Sequence, residues 1–82
     1  MTREEEQYYE QYFDLFLTTG WKQFVGEIKD ILDSHRIEDI RDDSQLAYIK
    51  GERRALHRVA HFEAGIKNSY NMILEREDAH KT

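Results

Sequence analysis

Between Ile49 and Ile73, steps of three and four residues alternate without a slip, through Ile49, Glu52, Leu56, Val59, Glu63, Ile66, Tyr70 and Ile73. Residues spaced in this way line one side of an α-helix and repeat like the seam of a coiled coil. Tyr48, Ala55, Phe62 and Leu74 widen the apolar face beyond a strict seam. The 82 residues include no proline and only four glycines, so little in the chain ends a helix. The pattern predicts a long helix over about residues 43–77, capped by Asp42 or Ser44, with Gln45 placed to complete a capping box from Asp42. Residues 78–82 carry no apolar period and are expected to fray.

Thr2 followed by Glu5 is a capping-box pattern. Beyond it Tyr9, Phe13, Phe16 and Leu17 share one helical face, with Glu4, Glu5, Glu6, Glu10 and Asp14 largely off it, which predicts a helix over about 3–17. The early glutamates also suit the positive end of the helix dipole. Thr18-Thr19-Gly20 are poor helix formers, and a break is expected there, with a threonine capping a second helix over about 19–34. That segment carries the stripe Trp21, Phe24, Val25, Ile28, Ile31, Leu32. Residues 35–42 read as a connector, with Ile37 and Ile40 tucked beneath it. A short link between two long amphipathic helices predicts an antiparallel hairpin with coiled-coil-like packing, a single all-α domain that is long and thin.

Charged residues make up 35% of the chain, yet the regular spacing of ten aromatic residues and many Leu, Ile and Val argues against disorder. With no cysteine, neither a disulfide nor a thiolate metal site is available. The acidic opening, MTREEEQYYEQ, is the opposite of a secretion leader, and no apolar run approaches the ~20 residues of a membrane span. A net charge of −5 disfavours nucleic acid as the main partner.

Four constellations invite a chemical reading. His57 and His61 stand one turn apart, as two metal ligands would, but Arg58 follows His57 where a metalloprotease has glutamate, and no third ligand is evident. Solvent-facing histidines are the simpler account. Lys50, Arg53, Arg54 and Arg58, with His57 and His61, form the densest basic patch, read as a phosphate-binding helix face, a docking surface for an acidic partner, or the charge balance of Glu27, Asp30 and Asp33 across the hairpin. No aromatic residue interleaves them as a base-stacking platform requires. Ala47, Gly51 and Ala55 make a ridge of small residues against which Trp21 or Phe24 is expected to pack. Glu52 and Glu63 sit in the seam among arginines, where salt bridges explain them better than acid–base work. No catalytic triad order, phosphate-binding loop or dinucleotide fingerprint is present, so neither an enzyme nor a cofactor is expected.

A thin hairpin has little surface to receive the stripe of Tyr9, Phe13, Phe16 and Leu17. These four are therefore expected to hold chains together in a homo-oligomer, with protein partners and no membrane.

The run LFLTTGWKQFVGEIKDIL, followed by LAYIKGERRALHRVAHFEAGIKNSY, resembles a group of short tailed-phage proteins in its Gly20-Trp21, Lys50-Gly51 and Phe62-Glu63 pairs. The resemblance covers roughly residues 13–74 and implies a small helical-hairpin protein of a virion or its assembly, located in the virion or the cytoplasm of an infected bacterium. It brings no catalytic residue. The alternative expectation is a small regulator that binds a host protein, its acidic N-terminal segment mimicking a phosphate backbone.

Overall fold

The computed structural model describes residues 1–81, without the side chains of Ile37 and Lys81. The protein is all-helical: α1 (Arg3–Phe16), α2 (Thr19–Ser34), a 3₁₀ turn at Ile37–Asp39, α3 (Asp43–Ala60) and α4 (Phe62–Lys81). Local chemistry sets each start. The Thr2 hydroxyl accepts the Glu5 N–H at 3.1 Å while Glu5 accepts the Thr2 N–H at 3.3 Å, so two otherwise orphaned donors are satisfied reciprocally. Thr18 takes the same role for α2, accepting the Trp21 N–H at 3.1 Å and donating its hydroxyl to the Leu15 carbonyl at 2.7 Å. The break therefore falls at Leu17–Thr18. Asp42 caps α3 through the Gln45 N–H at 2.6 Å. Gln45 does not return the bond to Asp42, as the capping-box pattern suggested, but reaches one residue further to the Arg41 N–H.

The single helix expected over 43–77 is two, interrupted at His61. The His57 carbonyl there receives the His61 N–H at 3.0 Å and lies 2.9 Å from His61 Nδ1. A side chain crowding one carbonyl of the helical ladder is a known cause of bending. The tail is a second correction, since α4 runs on to Lys81 where fraying was expected. Its last turns are not bare: Met1 packs there and its amino group meets the Glu77 carboxylate. Thr82, also expected to fray, lies outside the described residues, as does the Ile37 side chain expected beneath the connector; Ile40 is half-buried.

Two arms result. α2 packs on α3 and α1 on α4. As numbers rise in the first arm they fall in the second, from Met1 beside Glu77 through Tyr9 beside Tyr70 to Leu32 beside Arg53. The molecule measures 57 × 29 × 17 Å with a radius of gyration of 17.8 Å, where a globule of this length would have about 12 Å. Its core is correspondingly small. Tyr9, Phe16 and Ile66 form one buried cluster, joined by Met1, Tyr12, Phe13, Trp21, Tyr70 and Ile73, and Leu32 is the buried apolar residue of the α2–α3 half.

Candidate functional site

The two breaks, Leu17–Thr18 and His61, lie side by side, and aromatic residues converge on them. Thr18 starts α2 so that Trp21 emerges toward the second arm, and its indole Nε1 donates to Glu63 at 3.0 Å. Lys67, one turn on, donates to the other Glu63 oxygen at 2.6 Å. These two donors, Lys67 ahead of Trp21, hold the Glu63 carboxyl below its ordinary pKa, against the smaller opposing effect of desolvation. Phe62, at the head of α4, meets the rings of Tyr12 at 5.2 Å and of Phe16 and Trp21 at 6.2 Å. Glu63 is thus a structural tie between arms. Its partners are a tryptophan and a lysine, not the arginines expected, and Glu52 likewise meets His35, at 3.8 Å.

The stripe assigned to self-association divides. Tyr9 and Phe16 are buried in the chain's own core, with Phe13 half-buried against Tyr70. The expectation that the hairpin lacks surface for them is corrected: α1 lies along α4, whose Ile66, Tyr70 and Ile73 receive it. Leu17 alone of the four points outward, 76% exposed. What remains uncovered is a different set, including Tyr8, Leu15, Phe24, Ile31 and Phe62 along the rod and Tyr48 on α3. Sequence reasoning placed Phe24, Ile31, Tyr48 and Phe62 on apolar faces expected to be covered, and left Tyr8 and Leu15 out of the α1 stripe. The signal was present in Tyr8, Tyr12 and Leu15, which are spaced four and three apart and form a second stripe beside the first.

The basic patch also divides. Arg53 donates at 2.8 Å to the Leu32 carbonyl in the last turn of α2, which also accepts the His35 backbone N–H at 3.3 Å. Lys50, Arg54 and Arg58 are exposed and make no ion pair among the described residues, so Glu27, Asp30 and Asp33 do not neutralise them by contact. The ridge of Ala47, Gly51 and Ala55 faces outward, and a methyl group on Gly51 would meet nothing within 4 Å. Neither Trp21 nor Phe24 packs there, because Trp21 is drawn to Glu63 and Phe62 instead. His57 and His61 are exposed with rings 5.8 Å apart, and among the described residues no three His, Asp or Glu side chains gather as a metal would require. No helix among the described residues is long and apolar enough to cross a membrane.

No family model, curated protein or solved structure matches the chain. Gly20-Trp21 and Phe62-Glu63 meet in space through the Trp21–Glu63 bond, while Lys50-Gly51 stands apart on the outer face of α3.

Proposed function

We propose that this is a non-catalytic structural or adaptor protein, an antiparallel helical hairpin with coiled-coil-like packing that works by protein–protein association. One observation carries the reading. The chain exposes 6852 Å², whereas a compact monomer of 9.9 kDa exposes about 5,200 Å². Nine large apolar residues among those described are at least 36% exposed, and large exposed apolar areas mark interaction sites. A cleft of about 500 Å³ between α1 and α4 is lined by Tyr9, Phe13, Tyr70 and the carboxylates Glu6, Glu10 and Glu77, of which Glu77 is engaged by the Met1 amino group.

The resemblance to short tailed-phage proteins supplies the setting, a virion or its assembly. Mass spectrometry of purified virions is expected to find the protein at a fixed ratio to the other components. Its absence from virions and from their assembly intermediates would overturn the structural role. A second reading, a small regulator of a host protein, is favoured by the exposed acids Glu4, Glu6, Glu10 and Asp14 of α1, which make no ion pair among the described residues. Recovery of one stoichiometric host protein, lost when these four are neutralised, would support it instead.

A further inference from the structure

Three shallow clefts of about 290, 290 and 230 Å³ adjoin along the flank of the rod that carries Lys22 and Lys29. They are one groove, because Lys29 lines all three, Val25 and Glu63 line the first two, and Ala60 lines the last two. The groove runs between α2 and the second arm. Its floor is made by Val25, Gly26, Leu32 and Ala60, all buried or half-buried, and a methyl group on Gly26 would meet nothing within 4 Å. Its rim is basic. Lys22, Lys29, Arg53 and Lys67 stand against two acids, Asp33 and Glu63, in a chain whose net charge is −5. Glu63 is already held by Trp21 and Lys67, whereas Lys22 and Lys29 are exposed and make no ion pair among the described residues.

We infer that this groove receives an acidic amphipathic helix of a partner protein, its apolar side chains on the floor and its carboxylates against the lysines. The inference rests on the association reading above and states what the partner offers. Both walls are helices whose main-chain groups are paired internally. An extended peptide would find no backbone partners there, whereas a helix brings its own hydrogen bonds. From Trp21 to Leu32 the α2 wall is about 16 Å long, which accommodates about three helical turns. Charge selects the kind of helix. A short acidic helix stays within a Debye length, about 8 Å at physiological salt, of the groove's bases. A nucleic acid would extend past them onto the rest of the molecule, which is more acidic than the chain as a whole. A second copy does not supply the helix, because the seam of its own acidic α1, Tyr9, Phe13 and Phe16, is spent on the chain's own core.

Trp21 is the one tryptophan of the sequence and lines the groove, so its fluorescence reports the contact. The probe is a helical peptide of about 14 residues with leucines at three-and-four spacing and glutamates on either side, compared with the same peptide carrying lysines. The glutamate peptide is expected to bind the full chain with a Kd of about 100 µM, and the lysine peptide about tenfold more weakly. Lys22→Glu with Lys29→Glu should weaken the glutamate peptide about tenfold at unchanged helicity. Ala64→Glu, on α4, is the second variant should the first fail to fold. Lys50→Glu, on the outer face of α3 away from the groove, should change nothing. Equal affinity for the two peptides, indifference to the groove variants, or an equal loss on Lys50→Glu would each overturn the inference. So would tighter binding of a single-stranded oligonucleotide of the same charge, or a doubled mass in light scattering that the groove variants abolish. A protein that ignores the peptide yet stands at a fixed ratio in virions would leave the association reading standing, whereas one that binds it but is absent from virions and their assembly intermediates would lose the structural role alone.

Discussion

The Trp21 indole N–H points at the Glu63 carboxylate across a sequence separation of 42, at 3.0 Å, and joins the first turn of α2 to the first turn of α4. Both ends of this bond sit beside the two helix breaks, Leu17–Thr18 and His61, so it fixes the relative slide of the arms there. Trp21→Phe keeps much of the ring packing and removes the donor. It should cost about 1 kcal/mol, a fall in Tm of roughly 4–8 °C for a domain of this size. Glu63→Ala should cost a similar amount, and the double variant less than the two together. Strictly additive losses in thermal unfolding would show that the bond contributes nothing.

The same carboxylate makes stability depend on pH. Lys67 first and Trp21 second depress the Glu63 pKa below its ordinary 4.5, so the folded state binds this proton less readily than the unfolded chain. Stability from this source is complete above the unfolded value and disappears as pH falls through the folded one. Glu63→Gln should therefore narrow its deficit relative to the parent as urea titrations move from pH 7 toward about pH 3. A deficit that is constant or grows on acidification would contradict the assignment.

What could be read from sequence was what depends on near neighbours. Thr2 with Glu5, Thr18 with Trp21 and Asp42 with Gln45 are three-residue relationships, and each set a helix start. The interruption at His61 has no glycine or proline to announce it; it involves a side chain competing for the His57 carbonyl. The helical tail and the burial of Tyr9 were hidden for a different reason. Both follow from α1 lying on α4, a contact between the two ends of the chain that no local pattern encodes. The ring series Tyr8–Tyr12–Phe62–Trp21–Phe24 crosses three helices and was illegible on the same grounds.

Adjacent residues at the end of α1 should respond very differently to truncation. Phe16 is 4% exposed and touches Tyr12, Trp21 and Phe62, whereas Leu17 is its exposed neighbour. Phe16→Ala leaves a cavity at the junction of both arms and should cost about 3–5 kcal/mol, enough to unfold much of so small a domain. Leu17→Ala should stay within about 0.5 kcal/mol. Chemical denaturation monitored by circular dichroism separates the two, and equal losses would mean that α1 is not seated on α4 by this face.

Gly51 tests whether the outer face of α3 is bare. It lies inside a helix, no glycine has positive φ, and a methyl group added there meets no atom within 4 Å. Nothing in the chain therefore requires glycine at this position, and its cost is the backbone freedom lost on folding, about 1 kcal/mol relative to alanine in a helix interior. Gly51→Ala should raise stability by up to that amount and raise helicity slightly. The substitution also reports on partners, because alanine is neutral only where nothing approaches the backbone. If Gly51→Ala stabilises the isolated protein yet weakens its self-association or its incorporation into a larger assembly, the ridge of Ala47, Gly51 and Ala55 is a close contact between chains. If it destabilises the isolated protein, another part of the same chain must lie against α3 there, and the arrangement of the two arms described above would be wrong.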